Sequence, residues 1–534
     1  MSRYLGLIVA IGGTVVTGGL ALWVSSAWFT GFAPFALLTL LGVRDLFQTR
    51  HSLQRNYPIV SHLRWFFEDI RPEMQQYFVE SDLDGRPFDR DARALVYERA
   101  KDVNEEKAFG TELDVYAIGY EWFAHSLAPV SPQEAPPRVE VGGTECKQPY
   151  SMALLNVSAM SFGALSSNAI LALNKGARLG GFAHDTGEGG LTKYHLEPGG
   201  DLVWEIGSGY FGCRTNQGEF DLERFRDKAA AQSVKCISIK LSQGAKPGLG
   251  GVMPASKVTR EIAEIRGVPE GEKCVSPPYH TAFDTPRGLI EFVRTLREAS
   301  GGKPTGFKLC VGDESEFLGI CKAMLEMECT PDFIIVDGGE GGTGAAPLEF
   351  EDHVGTPLTE GLQFVHNALV GVGLRDQIRL GCSGKVSSAF EMAKRLAQGA
   401  DYCNAARAMM FALGCIQAQR CQTNTCPVGV TTQDPRRVRG LVVEDKARRV
   451  CNFQRNTVAD LMQLVAAMGL EGPAQLGPDL LMRRIDGTTV RSYAELFLSL
   501  APGALLEEGP PGRWGPLWRS ASSERFRIPA AARR

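Results

Sequence analysis

The chain has 534 residues, 44% of them hydrophobic, and a formal net charge of −4. That length buries a large core and exceeds a single α/β barrel of about 250 residues, and the negative balance removes the electrostatic case for nucleic acid as a partner. Thirteen cysteines are scattered rather than arrayed as a disulfide framework, which points to a reducing compartment, with one group of three as the exception.

In chain order, the first feature is an uncharged run. From Tyr4 to Val43 there is no Asp, Glu, Lys, Arg or His. At about 1.5 Å per residue this is roughly two crossings of a 30 Å hydrocarbon core. It divides near Ser25, Ser26, Gly31 and Pro34, and Trp23, Trp28 and Phe29 suit the interface. Arg3 precedes the run; Arg44, Arg50 and Arg55 follow it. Positive charge at both ends predicts a hairpin over 1–47 with both ends, and the catalytic domain, cytoplasmic. A signal peptide cleaved near Ala27 is the competing reading, weakened by a poor basic start and by the second apolar stretch.

Residues 48–149 read as a helical linker region, near the membrane or packed on the main domain. "HSLQRNYPIVSHLRWFFEDIRPEMQQYF" is amphipathic, "RDARALVYERAKD" is a second helix, and "APVSPQEAPPRVEVGG" marks a boundary.

After about residue 150, short β-branched runs alternate with helical stretches. The predicted strands are 153–160, 182–187, 236–241, 273–278, 306–311, 332–339, 378–384 and 401–406. Eight β/α units with polar, Gly-rich C-terminal ends predict an α/β fold of the (β/α)8 TIM-barrel type over 150–465, with its chemistry at that face. A doubly wound open sheet is the alternative, although no GxGxxG opens a first βα unit. In such barrels the loops after strands 7 and 8 commonly bind phosphate. Gly384 and Lys385 and then Ala405, Ala406 and Arg407 occupy those loops, where ordinary turn chemistry is the alternative.

Three cysteines, Cys415, Cys421 and Cys426, close the region, with Pro427 after the last. Structural zinc prefers four ligands, and a disulfide would leave one thiol over.

The stretches "NVSAMSFGALSSNAI", "GEGG", "IKLSQGAKPGLGGVMP", "VSPPYH", "GGTGAAPL" and "LGCIQAQRCQTNTCPVGVTTQDP" resemble the FMN-binding central domain of glutamate synthase, over about residues 150–465. The resemblance implies FMN in the barrel and a [3Fe–4S] cluster on Cys415, Cys421 and Cys426, in place of apolar packing or a zinc site with an outside ligand. It places Ser158, Ala159, Met160 and Ser161 against the flavin ring. Lys308 would face the ring's N1 and O2, with a structural ion pair as its alternative, and Gly341, Gly342, Thr343 and Gly344 would form a close loop. Gln243 and Lys246 would face 2-oxoglutarate or its imine. Glu188 would pair with such a cation or relay a proton, and His280 would line the pocket or serve structure alone.

One stretch departs from the family. "VWEIGSGYFGC" puts Trp204 and Tyr210 where a Lys and an Arg are usual, which implies two missing cations, with Arg214 as a substitute for one. The strand-8 loop reads "NAA" for the usual "GTA". The opening Met1-Ser2 offers no N-terminal cysteine nucleophile, so no glutamine hydrolysis is expected. Residues 466–534 are expected to be a short helical extension with a loose basic tail.

The implied activity is transfer of electrons through the cluster to FMN and reductive amination of a 2-oxo acid, or the reverse. The implied partners are a ferredoxin or reductase, a separate glutaminase subunit and the membrane, with a homo-oligomer left open. Two rivals stand beside this: an FMN-dependent 2-hydroxy acid or amino acid dehydrogenase, and an electron-transfer or scaffold subunit without its own substrate.

Overall fold

The uncharged N-terminal run folds as two helices, α1 (Leu5–Trp23) and α2 (Phe29–Phe47), in the computed structural model, which describes residues 2–103 and 106–527. Each helix has 19 residues, roughly 28 Å, close to the hydrocarbon thickness. They pack because small residues meet large ones: Gly13 faces Phe35, Gly18 faces Phe32, and the Thr14 and Thr39 hydroxyls lie 2.9 Å apart. Leu5, Val15, Leu22, Leu37 and Leu40 remain exposed on the outer faces. Both helices are long and apolar enough to cross a membrane.

The amphipathic stretch that follows is interrupted. A short helix, Ser52–Asn56, ends before Pro58, and Ile59 takes a left-handed φ of 66°. Then α3 (His62–Met74) runs into a π-turn over Gln75–Val79. The chain divides into two units, one ending at Arg90 and one beginning at Asp91.

In the second unit α4 (Arg90–Lys101) precedes a closed barrel of eight parallel strands in sequence order. They are β1 (Leu155–Val157), β2 (His184–Asp185), β3 (Leu202–Ile206), β4 (Val234–Lys240), β5 (Thr305–Leu309), β6 (Phe333–Asp337), β7 (Arg379–Ser383) and β8 (Tyr402–Ala405). The barrel closes where β8 pairs with β1, Cys403 opposite Leu155. Seven of these strands overlap expected runs. The third does not, and the expected strand at 273–278 is no barrel strand. There Cys274–Val275 pairs antiparallel with Val252–Met253 outside the barrel. β3 escapes a search for β-branched runs because it alternates function rather than polarity. Trp204 points outward and stacks on Phe225 at 5.2 Å, while Glu205 points inward to Lys308, across the barrel on β5.

Helices α5 (Ser167–Gly180), α6 (Leu222–Ala229), α7 (Pro286–Ala299), α8 (Glu314–Met327), α9 (Leu358–Gly371) and α10 (Ala389–Ala397) surround the strands. Several carry side-chain N-caps: Ser166 accepts from Ala169 N–H, Asp313 from Ser315 N–H and Ser388 from Glu391 N–H. At the N-terminal end, an antiparallel pair, Val139–Val141 with Tyr150–Met152, closes the barrel. Its Val141, Tyr150 and Met152 join Val203, Cys236, Phe333 and Tyr402 in one apolar core. The bottom of the barrel is therefore oily and sealed, which leaves its polar chemistry to the other end.

The C-terminal region is more than the short helical extension expected. Leu481–Arg484 and Val490–Ser492 form a three-stranded sheet with Glu121–Phe123. Trp514 is buried and stacks on Phe364 of α9 at 5.2 Å, and Ala521 accepts from Lys322 of α8. Apolar burial, which the Pro- and Gly-rich sequence concealed, holds it down. The expected basic tail lies partly at 528–534, outside the described residues.

Candidate active site

At the C-terminal ends of β2, β4 and β6, charged side chains from three loops converge. Lys240 ends β4 and donates to Glu188 at 2.8 Å and to the Gln243 side-chain carbonyl at 3.1 Å. Gln243 donates on to Gly342 O at 2.9 Å, and Lys246 to Ala345 O at 3.3 Å. The structure thus brings together Glu188, Gln243, Lys246, Gly341 and Gly342, as expected. It adds Lys240, which the sequence reading passed over because it looks like the last residue of an ordinary strand.

Electrostatics decide what these groups can do. Burial would raise the Glu188 pKa, but Lys240, with Lys246 and Arg266, outweighs it and holds the carboxyl at about 2. Glu188 is therefore a fixed negative charge near neutral pH, and a proton-relay role is not supported. Lys246 is only 5% exposed; burial, then the Lys240 charge, pulls its pKa down to about 8, against Glu188 and Glu351. Lys240 is paired with Glu188, whereas Lys246 bonds a carbonyl and feels Glu188 and Glu351 only from farther off, which leaves its ammonium to an anion.

Glu188 is confined by backbone. A Cβ on Gly251 would lie 2.2 Å from its Oε1, and one on Gly207 2.7 Å from its Cβ. The Gly251 clash is with side-chain ends alone, so Gly251→Ala is expected to displace Glu188 without unfolding the barrel. Turnover should fall by roughly 10- to 100-fold, as a displacement of about an ångström commonly costs, with the unfolding midpoint nearly unchanged. A normal rate would contradict this placement.

Lys308 is 5% exposed and ion-paired with Glu205. Burial alone would lower its pKa; Glu205, Asp185 and Asp337 reverse that and raise it. Asp185 itself is pushed up to about 8 by burial and by Glu205. The partner of Lys308 is thus Glu205, in agreement with the structural ion-pair alternative. Asp337 instead accepts from Gly244 N–H at 2.7 Å and from the Ser383 hydroxyl.

Two expectations are corrected, and His280 takes the structural alternative. Trp204 lies in the helical layer and Tyr210 ties down the 280–282 loop, its hydroxyl accepting from Thr281 and Ala282 N–H at 3.1 and 3.0 Å. Aromatic residues there take no cation from the Lys240–Lys246 group. Arg214 lies over Phe211, 5.6 Å from the ring centre, and contacts Gly209 O; none of its contacts reaches Glu188, Lys240 or Lys246. His280 is structural: its ring nitrogens meet Lys240 O at 2.8 Å and the Tyr210 hydroxyl at 3.1 Å, and burial lowers its pKa to about 4.

Around this group lie the other expected loops. Ser158 N–H donates to Ala405 O at 3.0 Å, joining the ends of β1 and β8. A Cβ on Gly187 would lie 2.6 Å from Ser161 N, so the β2 loop backs directly on Met160 and Ser161. Gly384 (φ 156°) and Lys385 (φ 53°) turn sharply after β7. After β8, Ala406 starts the short helix α11 (Arg407–Ala412) with no side-chain cap, which leaves the first-turn amides to another acceptor. Arg407 donates to Glu340 O, and burial lowers its pKa against Asp337, Glu340 and Glu351. Thr343 only bonds within its own loop. A phosphate suits this end: it would accept from the amides and offset the burial of Arg407.

The three-cysteine segment follows α11. Gln417, Gln419 and Asn424 all adopt left-handed φ, between 52° and 63°, a tightly wound path that costs of order 1 kcal/mol or more per residue. Tyr97 of α4 fixes Cys415 O at 2.6 Å, and Lys257, 3% exposed, donates to Cys421 O at 3.0 Å and Ala164 O at 2.8 Å. Cys415 and Cys421 thiols are pushed up by burial, Cys415 to about 12. Cys426 is lowered: burial opposes, but donation from Thr431 and from the Thr431, Val428 and Val430 amides prevails. All three sulfurs act electrostatically on one another. Among the described residues, no three His, Cys, Asp or Glu side chains sit close enough to hold a single metal ion. A multi-iron cage keeps its thiolates farther apart than one ion does. Three soft donors, amides aimed at one sulfur and a buried ammonium alongside are a donor set that fits an anionic iron–sulfur cage.

A cavity of about 720 Å³ opens at the opposite end of the strands, lined by Tyr150, Asp201, Lys235 and Lys303 among others. It has no part in this arrangement.

A closed (β/α)8 barrel with its buried charges gathered at the C-terminal mouth defines an enzyme of the TIM-barrel class. Residues 129–471 match the family model described as the conserved region in glutamate synthase. The chain is 36% identical over 499 residues to the "glutamate synthase large subunit-like protein YerD" of Bacillus subtilis, covering 86% of this chain and 94% of that one. It is 36% identical over 315 residues to the "archaeal glutamate synthase [NADPH]" of Methanocaldococcus jannaschii and 33% identical over 346 residues to the archaeal-type enzyme of Thermotoga neapolitana. These matches take in 59% and 65% of this chain, and 58% and 64% of those relatives. The chain belongs to the glutamate synthase family, oxidoreductases acting on CH–NH2 donors.

Proposed function

We propose that the chain is a membrane-anchored oxidoreductase of the glutamate synthase type. In this reading it carries FMN at the barrel mouth and a [3Fe–4S] cluster on Cys415, Cys421 and Cys426. It converts 2-oxoglutarate, ammonia, two electrons and two protons to glutamate and water, or runs the reverse. The observation that carries the reading is the buried Lys246 ammonium, which bonds the Ala345 carbonyl and stands in no ion pair among the described residues, next to the Lys240–Glu188 pair. A substrate carboxylate can pair with it, and charge-assisted bonds of that kind are the strong ones.

When bound, FMN supplies hydride transfer and the cluster supplies one-electron relay. The chain's own residues do the rest. Gly384, Lys385, Ala405, Ala406 and Arg407 would hold the phosphate, and Ser158, Ala159, Met160 and Ser161 would lie along the ring. Lys308 would meet its N1 and O2 side, with Glu205 holding the ammonium in place. Gly341, Gly342 and Thr343 would cover the ring, Gln243 orienting the loop through Gly342 O. Lys246 would bind the substrate carboxylate, and Glu188 would hold Lys240 charged beside it.

Electrons would come from a ferredoxin or a partner reductase, and ammonia from solution or a separate glutaminase subunit. The two apolar helices and the arginines flanking them support a membrane hairpin with the catalytic unit on the cytoplasmic side. A 2-hydroxy acid dehydrogenase would need a histidine base, and His280 has both ring nitrogens engaged.

Lys246 sets a pH dependence. Its ammonium is complete below about 8 and lost above it, and an anion binds the charged form. KM for 2-oxoglutarate is therefore expected to be flat below pH 8 and to rise by up to about tenfold per pH unit above it. Lys246→Met should raise KM by roughly 10- to 100-fold and abolish that rise; initial rates across pH check both. The cofactor part of the reading is tested by purifying the full chain anaerobically and assaying its prosthetic groups. FMN together with the iron and sulfide of a [3Fe–4S] cluster is expected, and zinc or an absence of flavin would overturn it.

A further inference from the structure

The first unit holds an apolar surface that the site does not use. No residue of α3 or of the turn after it is buried. Leu63, Phe66, Phe67, Ile70 and Met74 recur at helical spacing and form one stripe. Phe67 is 60% exposed and, in the turn, Phe78 is 77% exposed. Arg64, Glu68 and Arg71 fall elsewhere on the helical wheel. So large an unbroken aromatic and aliphatic face needs an occupant.

Contacts within this unit say where the helix starts. Asp45, in the last turn of α2, is fully buried. It accepts from Ile59 N–H at 2.9 Å and from the His62 ring at 2.9 Å. The intervening turn is seated on both hairpin helices at once. A Cβ on Gly42, near the end of α2, would lie 3.0 Å from Ile59 Cδ1, and one on Gly6, at the start of α1, 2.8 Å from Val60 Cγ2. The start of α3 is therefore clamped to the end of the hairpin where both its chain ends lie. In a bilayer that level is the headgroup zone, and Trp and Phe side chains are favoured there. Arg44, Arg50 and Arg55 crowd the same stretch of sequence, Arg64 pairs with Glu68, and Asp45 is taken up by His62. Cations at that level suit anionic lipid.

We propose that α3 and the turn through Val79 lie in the plane of the membrane interface, their apolar stripe in the acyl boundary of an anionic lipid surface. The hairpin would then hold the chain in the membrane while α3 fixes the level at which it emerges. The inference rests on the membrane reading of the hairpin.

The experiment uses the full chain in vesicles of phosphatidylcholine and phosphatidylglycerol. p-Benzoylphenylalanine replaces Phe67 in one sample and Glu68 in another. After irradiation, mass spectrometry is expected to find lipid adducts at position 67, several-fold in excess of those at 68. Adducts from position 67 to residues beyond 90, to a second copy of the chain, or to nothing would overturn the proposal, as would equal labelling at the two positions. Carbonate extraction of the same vesicles separates the two failures. If the chain is released, the membrane reading itself falls; if it is retained without lipid adducts at 67, only the in-plane helix does.

Discussion

Lys308→Met is expected to destabilise the barrel by about 3–5 kcal/mol, the largest effect of any single change in the mouth. Lys308 and Glu205 face each other inside the barrel, 5% and 2% exposed. Methionine matches the length of the side chain, so little volume is lost. What is lost is the one ion-pair partner of the Glu205 carboxylate among the described residues. Asp185 beside it is pushed up to about 8 and is already largely protonated near neutral pH, so the stranded Glu205 would have to take up a proton as well. The prediction has an internal control. Replacing both partners, Lys308→Met with Glu205→Met, removes the stranded charge and is expected to recover much of the loss. Thermal unfolding of the parent chain and the two variants in detergent checks this. A double variant no better than the single would mean that the ion pair is not what the lysine supplies. Flavin content should fall in the single variant as well if Lys308 meets the ring.

Cys421→Ser is expected to strip iron from the chain while leaving FMN in place. A serine hydroxyl is a hard, poorly ionised donor where a soft thiolate is needed. The segment's other anchors do not involve the Cys421 sulfur: Asn424 accepts from Thr432 and Gln433, and Lys257 holds the Cys421 carbonyl, which serine keeps. The loops after β7 and β8 and α11 lie before the segment and depend on different contacts. Iron and flavin assays on the anaerobically purified variant read the two groups separately. Loss of both would mean that the segment supports the barrel mouth as a whole, and retention of iron would remove Cys421 from the ligand set.

Much of this was legible in the sequence, and the misses have physical causes. Seven strands announced themselves as short apolar runs because parallel strands buried on both faces must be apolar. β3 did not, because its central pair splits between two layers: Trp204 fills a gap against Phe225, and Glu205 charges the barrel interior. The run at 273–278 has the composition of a strand but pairs with a neighbouring loop, which no local pattern reveals. The loops carrying Glu188, Gln243 and Lys246 were visible from their motifs. Their pairing was not, since Lys240 and Glu188 lie 52 positions apart and meet only through the curvature of the barrel. For the same reason Trp204 and Tyr210 read as lost cations when one faces the helices and the other braces a loop. The C-terminal region misled in the opposite direction. It reads as a short helical extension, yet it adds two strands to a sheet and buries Trp514 and Leu505.

The central claim is that the charged mouth of this barrel performs amination chemistry on a 2-oxo acid. Its most direct test is a single turnover. The full chain, purified anaerobically and reduced with one equivalent of dithionite, is mixed with 2-oxoglutarate and ammonia while the flavin spectrum and free glutamate are followed. The flavin is expected to reoxidise and glutamate to appear in equal amount, both roughly 10- to 100-fold more slowly in Lys246→Met at the same sub-saturating substrate concentration. A flavin that stays reduced with both substrates present, yet reoxidises with an artificial acceptor, would contradict it.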